Sequence, residues 1–239
     1  MLCGGTLAIL AQLGLEVHVV CAPRGEGGEL GNPPVCSRED IGVVRSHELT
    51  CAVNALGAAS LTFLNYIDPL VGENETLFAF TQDEDLLVEE LLREIHRTGA
   101  SILLTHGSNG EYGHPAHVLI YRAAQAAARR IGPDRLAWYT VQAAYPQHPR
   151  PLLMNQDDPA DLILDVSSVI ERKIHAVGCH RSQHDLFLRR TAELIGRPAS
   201  LADTALLEES LNAAGRDGSQ IAPDHLLELL SRFSRPYQE

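Results

Sequence analysis

The stretch "SILLTHGSNGEYGHPAHVLIYRAAQAAARRIG", residues 101–132, passes from an apolar run through a glycine-rich loop into a segment with helical spacing of its apolar positions. The run "SILLTH" predicts a strand, and "HVLIYRAAQAAARRIG" predicts a helix that stops at Gly132. A strand that feeds a helix through a short loop is half of a βαβ unit, so the question becomes whether the flanking sequence repeats the pattern.

It does on both sides. Toward the N-terminus, residues 5–12 read as a helix stopped near Gly14, and Val17–Cys21 as an apolar strand of the kind buried on both faces. "SREDIGVVRSHELTCAVNALG" predicts a helix with Ser37 as N-cap and Gly57 as its stop, followed by the strand "SLTFL". "TQDEDLLVEELLREIHRTG" is the clearest helix, with acids at its start and Gly99 at its end. Beyond residue 132, "LAWYTVQ" and "ADLILDV" predict strands, "SSVIERKIHAVGCHRSQ" starts another helix, and the tail after about residue 200 reads as helical and polar. Alternation of this kind predicts an α/β fold: a Rossmann-like open, mostly parallel sheet with helices on both faces, in a single domain with a helical C-terminal extension over about 200–239.

The 239 residues are enough for a core that needs no staples. A formal net charge of -12 argues against nucleic acid as a partner, and no apolar run is long enough to span a bilayer. Five scattered cysteines without a C-x-x-C pair predict reduced thiols and a cytoplasmic setting.

Ligands of open α/β sheets sit outside the carboxyl ends of the strands. Four loops leave such ends, and they carry most of the unusual chemistry. In "EYGHPAH", Pro115 suits a first helical position and lets His114 and His117 face a crevice, where neutral imidazole is a good zinc ligand. Loop histidines are also commonly just solvated, so the motif alone leaves both readings open. Tyr112 could donate to a developing oxyanion or simply pack. Glu26 lies in "RGEGGE", a loop whose acids would repel phosphate, and Asp68 in "NYIDP" could hold a hydroxyl or start a turn. A second group, His175, Cys179, His180 and His184, lies in "HAVGCHRSQH", with His180 and His184 on one face if the helix continues.

Taken in order and spacing, "LCGGTLAILAQLGLEVHVVCAPRGEGGE", "VVRSHEL", "FLNYID", "EYGHPAH" and "KIHAVGCHRSQ" resemble the PIG-L/LmbE-like zinc-dependent N-deacetylases over about residues 2–184. The resemblance implies hydrolysis of an acetyl group from an N-acetylated sugar conjugate or similar small amide, with zinc or another divalent metal as cofactor. It implies His117 as a metal ligand, His114 as the residue that stabilises the transition state or protonates the amine, and Tyr112 as the group polarising the carbonyl. Arg45, Asp68 and Glu26 fall at or beside substrate-holding positions. The expected partner is a small-molecule sugar-type substrate, with no nucleic acid or membrane; a homo-oligomer stays open.

The family's A-H-P-D-D motif, source of further zinc ligands and of the general base, would stand just before Cys3-Gly4-Gly5 and is not in the sequence. The resemblance therefore implies a chain truncated at its N-terminus, lacking the first strand and binding zinc weakly or not at all. Ala116 also replaces an acid that orients the first histidine in many members. The alternative is a non-catalytic descendant that binds a sugar-like ligand.

Overall fold

The computed structural model describes residues 2–72, 76–80, 82–214 and 225–234. In chain order the elements are α1 (Gly4–Gln12), β1 (His18–Pro23), α2 (Ile41–Leu56), β2 (Ser60–Tyr66), α3 (Glu84–Thr98), β3 (Ile102–Thr105), the short turn α4 (Gly110–Gly113), α5 (Pro115–Ile131), β4 (Ala137–Val141) and β5 (Ala143–Ala144). They continue with β6 (Asn155–Pro159), β7 (Leu162–Asp165), α6 (Ile170–Cys179), α7 (His184–Ile195), α8 (Leu201–Thr204), β8 (Glu208–Ala214) and α9 (His225–Leu230). Contacts sort the chain into two compact units. Unit 1 joins Cys3–Phe78 to Val166–Leu207, and unit 2 joins Ala79–Asp165 to Glu208–Glu239.

In unit 1, β1 and β2 pair in parallel, from His18 against Ser60 to Cys21 against Phe63. The apolar run of β1 predicts burial on both faces, yet Val20 stays 36% exposed. Among the described strands β1 has β2 as its only partner, so part of its surface lacks the cover a central strand receives. Helix α2 begins at Ile41 with Asp40 as its N-cap. Ser37, the predicted cap, instead bonds Asp40 through its hydroxyl at 2.8 Å in the turn before it. Gly57 does end the helix, at φ 83°.

Cys51 of α2 and Cys179 of α6 form a disulfide across 128 residues of sequence, with Cα atoms 5.7 Å apart. This corrects the reading of five reduced thiols; Cys3, Cys21 and Cys36 are in no disulfide. Sequence spacing could not show the bond, because its partners meet only after two helices pack.

In unit 2 the sheet runs β3-β4-β8-β7. Strands β3 and β4 are parallel and in register, Ile102 against Ala137 and Thr105 against Thr140, so their carboxyl ends open on the same side. Helix α3 is capped by the Asp83 side chain, which accepts from the Leu86 N–H at 3.1 Å. It buries Leu87, Val88, Leu91 and Ile95, and burying each such side chain contributes about 1.5–3 kcal/mol. Helix α5 presents small buried residues, Ala123, Ala124, Ala127 and Ala128, and packs on α3 and β3.

The tail departs from expectation. Rather than a wholly helical extension, it supplies β8, antiparallel to both β4 and β7 and inserted between them. "EESLNAA" is rich in helix formers, but Glu209, Ser210 and Leu211 are buried, and packing within the sheet overrides local propensity. α8 and α9 are the helical parts of the tail, and residues 215–224 and 235–239 lie outside the described residues.

Candidate metal and catalytic site

Three of the ring-bearing or acidic side chains at the carboxyl end of β3 owe their positions to one unusual turn. The backbone leaves Thr105, passes Gly110 at φ 64° and then Glu111 at φ 62°, ψ -65°. A non-glycine residue held there costs on the order of 1–3 kcal/mol and needs the surroundings to enforce it. Asn155, at the start of β6 and fully buried, does so: its Oδ1 accepts from the Glu111 N–H at 3.0 Å. Its Nδ2 donates to the Val141 carbonyl at 2.9 Å and to Glu111 Oε1 at 3.3 Å. Gly107 makes room for that clamp, since a Cβ there would lie 2.0 Å from Asn155 Cγ. Nearby, Asp158 accepts from Ser108 N–H at 3.0 Å, Ser108 Oγ at 2.6 Å and Thr140 Oγ1 at 2.8 Å, tying the loop to β4.

The turn drives the Glu111 side chain inward, where it is 0% exposed. Oε1 accepts from the Gly107 N–H at 3.0 Å. Oε2 meets His117 Nδ1 at 2.6 Å and His106 Nδ1 at 3.1 Å. Burial alone would raise the carboxyl pKa, but the hydrogen bonds and charges of His106 and His117 outweigh it and hold the group well below the usual carboxylate range. A carboxylate can only accept, so both Nδ1 atoms carry their protons toward it.

Three imidazoles layer beside this anchor. His106 and His117 stack with centroids 3.8 Å apart and 11° between planes, and His114 lies 4.4 Å from His117 at 29°. Tyr112 stands edge-on to His114 and His117, at 5.6 Å and 5.7 Å, and is 52% exposed. Burial lowers the His114 pKa to about 4, helped by His117 and His106, and burial lowers that of His117 as well. His114 Nδ1 is buried without a hydrogen-bond partner.

One ligand atom each from His106, Glu111 and His117 lie within 4.8 Å of one another. Two imidazoles and a carboxylate are a donor set that zinc accepts with a position left open. The residues present therefore fit such an ion. Beside His117, two further candidate donors, His106 and Glu111, lie in the loop that precedes it. His106 is the residue that ends the predicted strand, and its place at a strand's carboxyl end was the one available signal. Glu111 lies in the quoted motif without a role of its own, and Asn155 and Asp158 carry no signal in the sequence.

Arg45, Glu26 and Asp68 come together in unit 1. Arg45 donates through Nη1 to the Gly25 carbonyl at 2.6 Å and through Nη2 to the Glu29 carbonyl at 2.8 Å. Glu26 Oε2 accepts from the N–H of Arg24 at 3.1 Å and of Asp68 at 3.2 Å. Both side chains thus brace the loops at the ends of β1 and β2, whose backbones also touch through Val71 N–H and the Gly27 carbonyl at 3.0 Å. The second histidine group does not form one helical face. The helix breaks at His180, and His184 Nε2 turns to the Gly178 carbonyl at 3.1 Å. Among the described residues no helix is long and apolar enough to cross a membrane.

A family model described as PIG-L, GlcNAc-PI de-N-acetylase, matches residues 1–128. A 1D-myo-inositol 2-acetamido-2-deoxy-alpha-D-glucopyranoside deacetylase of Corynebacterium diphtheriae is 30% identical over 147 residues, 56% of this chain and 50% of its own. The chain thus spans about half the length of that relative. A probable N-acetyl-alpha-D-glucosaminyl L-malate deacetylase 2 of Bacillus cereus is 26% identical over 209 residues, 86% of this chain and 88% of its own. Among solved structures, GalB, the 4-carboxy-2-hydroxymuconate hydratase of Pseudomonas putida KT2440, matches with TM-score 0.57 and 23% identity over 92% of both chains. At that identity the likeness speaks for fold alone.

Proposed function

The chain belongs to the PIG-L family of GlcNAc-PI de-N-acetylases, and from that premise we propose that it hydrolyses the acetamide of an N-acetylated sugar conjugate. The observation that carries the reading is the convergence of His106, Glu111 and His117 beside the buried, unpartnered Nδ1 of His114. Both relatives bear the names of deacetylases of glucosamine-type conjugates.

His117, with His106, would hold zinc through the ring nitrogens that do not face Glu111, and other divalent ions suit the same imidazole donors. Such an ion, when bound, supplies polarisation of the amide carbonyl and acidification of water. The remaining work belongs to side chains. Glu111 orients both imidazoles through a carboxylate that the Gly107 N–H and Asn155 keep in place. Tyr112, exposed at the rim, donates its phenol proton in a hydrogen bond to the oxygen that gains charge. His114 contributes an imidazole N–H to the same oxygen or to the departing nitrogen. Arg45 and Glu26 serve the substrate indirectly, by bracing their loops, and Asp68 accepts from a sugar hydroxyl.

The test is acetate release from N-acetylglucosaminyl conjugates by the full chain supplied with zinc. Activity should vanish with a chelator and with His117→Ala, while Tyr112→Phe should lower kcat by about 10²–10³-fold, the range for one lost oxyanion donor. Undiminished release by His117→Ala would refute the assignment. Sugar binding without release by the metal-replete chain would instead favour the non-catalytic descendant.

A further inference from the structure

A second group of soft donors lies in unit 1, outside the site described above. Cys51 and Cys179 are joined, and a ring nitrogen of His175 lies within 4.8 Å of both sulfurs. His175 and Cys179 are one helical turn apart on α6, so they share a face, and Cys51 meets them from α2. Cys51 and His175 are exposed, whereas Cys179 is buried, so the group is reached from solvent on one side.

We propose that the reduced form of this group is a thiolate–imidazole metal site for zinc or a similarly soft divalent ion, and that the disulfide is its metal-free, oxidised state. Sulfur and imidazole are the ligands such ions favour. With Zn–S bonds near 2.3 Å, the two sulfurs need to part to roughly 3.8 Å in tetrahedral geometry. A Cα separation of 5.7 Å accommodates both states through side-chain rotation. The helices stay in place without the bond: Glu48 of α2 is buried and accepts from Ser182 N–H and Ser182 Oγ, both at 2.7 Å, just beyond the end of α6. That clamp lies one turn from Cys51 on α2, so the ligands remain facing after reduction.

The conversion balances with a low-molecular-weight thiol as reductant. One thiolate attacks a sulfur to form a mixed disulfide, and a second displaces it, leaving two protein thiols and one small-molecule disulfide. On binding the ion, the two thiols each lose a proton and His175 binds through a lone pair. In the reverse direction one protein thiolate attacks a low-molecular-weight disulfide, and the second displaces the bound thiol to re-form the Cys51–Cys179 bond. The ion is released with two small-molecule thiols as the reduced product. The site thus couples metal occupancy of unit 1 to the thiol balance around the protein. It does not depend on the deacetylase assignment.

The experiment is cobalt titration of the full chain, read by the thiolate-to-cobalt charge-transfer absorption that only sulfur ligation produces. The reduced chain should develop the band with one equivalent, the air-oxidised chain should not, and zinc should bleach it. Cys51→Ser should abolish the band, and His175→Ala should weaken cobalt binding by more than about tenfold, since even outer-shell changes reach that range. Both residues are exposed, so folding should survive. His117→Ala should leave the band intact. No band in the reduced chain, or a band that survives Cys51→Ser or vanishes with His117→Ala, overturns the proposal.

Discussion

Replacing Glu111 by glutamine tests whether one buried carboxylate sets the histidine geometry. Two donors, the Gly107 N–H and Asn155 Nδ2, point at Oε1, so the amide oxygen of glutamine must take that place. Its NH2 then occupies the Oε2 position, facing His117 Nδ1 and His106 Nδ1. Both rings must become acceptors there, which moves each proton to Nε2. Two charge-assisted bonds become neutral ones, a loss of about 1 kcal/mol each. The sum of about 2 kcal/mol corresponds to a fall of about 4–8 °C in Tm for a chain of this size. Glu111→Ala should cost more, about 2–6 kcal/mol, because the buried Gly107 N–H and the His117 N–H lose their acceptor. The assay is thermal unfolding together with nitrogen-15 NMR of the imidazoles. If the glutamine variant melts like the wild type and its rings keep the proton on Nδ1, the anchoring argument is wrong.

Gly107→Ala puts a Cβ 2.0 Å from Asn155 Cγ in a fully buried position, so Asn155 must move off the Glu111 N–H. Overpacking of that kind costs about 1–3 kcal/mol, which chemical denaturation should register; a neutral result would mean that the clamp yields freely. Burial raises the Cys21 thiol pKa from 9.0 to about 11, so at pH 8 its thiolate is about a hundredfold scarcer than that of an ordinary thiol. Native alkylation followed by mass spectrometry should find Cys21 slow at pH 8 and faster as pH rises toward 11; rapid labelling at pH 8 would contradict the burial.

The parts of the fold that could be read in advance are those where local signals and packing agree. Helix α3 shows this: acids at its start, leucines at helical spacing and a closing Gly99 at φ 65° all point the same way. The same holds for β3 and α5, where Pro115 marks the helix start. The tail fails because Glu, Leu and Ala favour helix while the sheet between β4 and β7 needs a strand. Nothing within residues 208–214 announces that neighbour. The Cys51–Cys179 bond is hidden for the same reason, since its 5.7 Å Cα spacing is a property of two packed helices.

The site divides along a similar line. Residues 106–117 hold the proposed donors within a dozen positions, so His114, His117 and Tyr112 stand out in the sequence as a motif. What they lack is geometry, and that comes from Asn155 and Asp158 on a distant strand. Asn155 forces a left-handed turn on Glu111, and the turn converts an acid that would be solvated into a buried anchor for two imidazoles. A glutamate after glycine ordinarily signals only a surface loop. Its burial follows from a hydrogen bond 44 residues away in sequence, which is why the residue most responsible for the arrangement was the least visible before the fold was known.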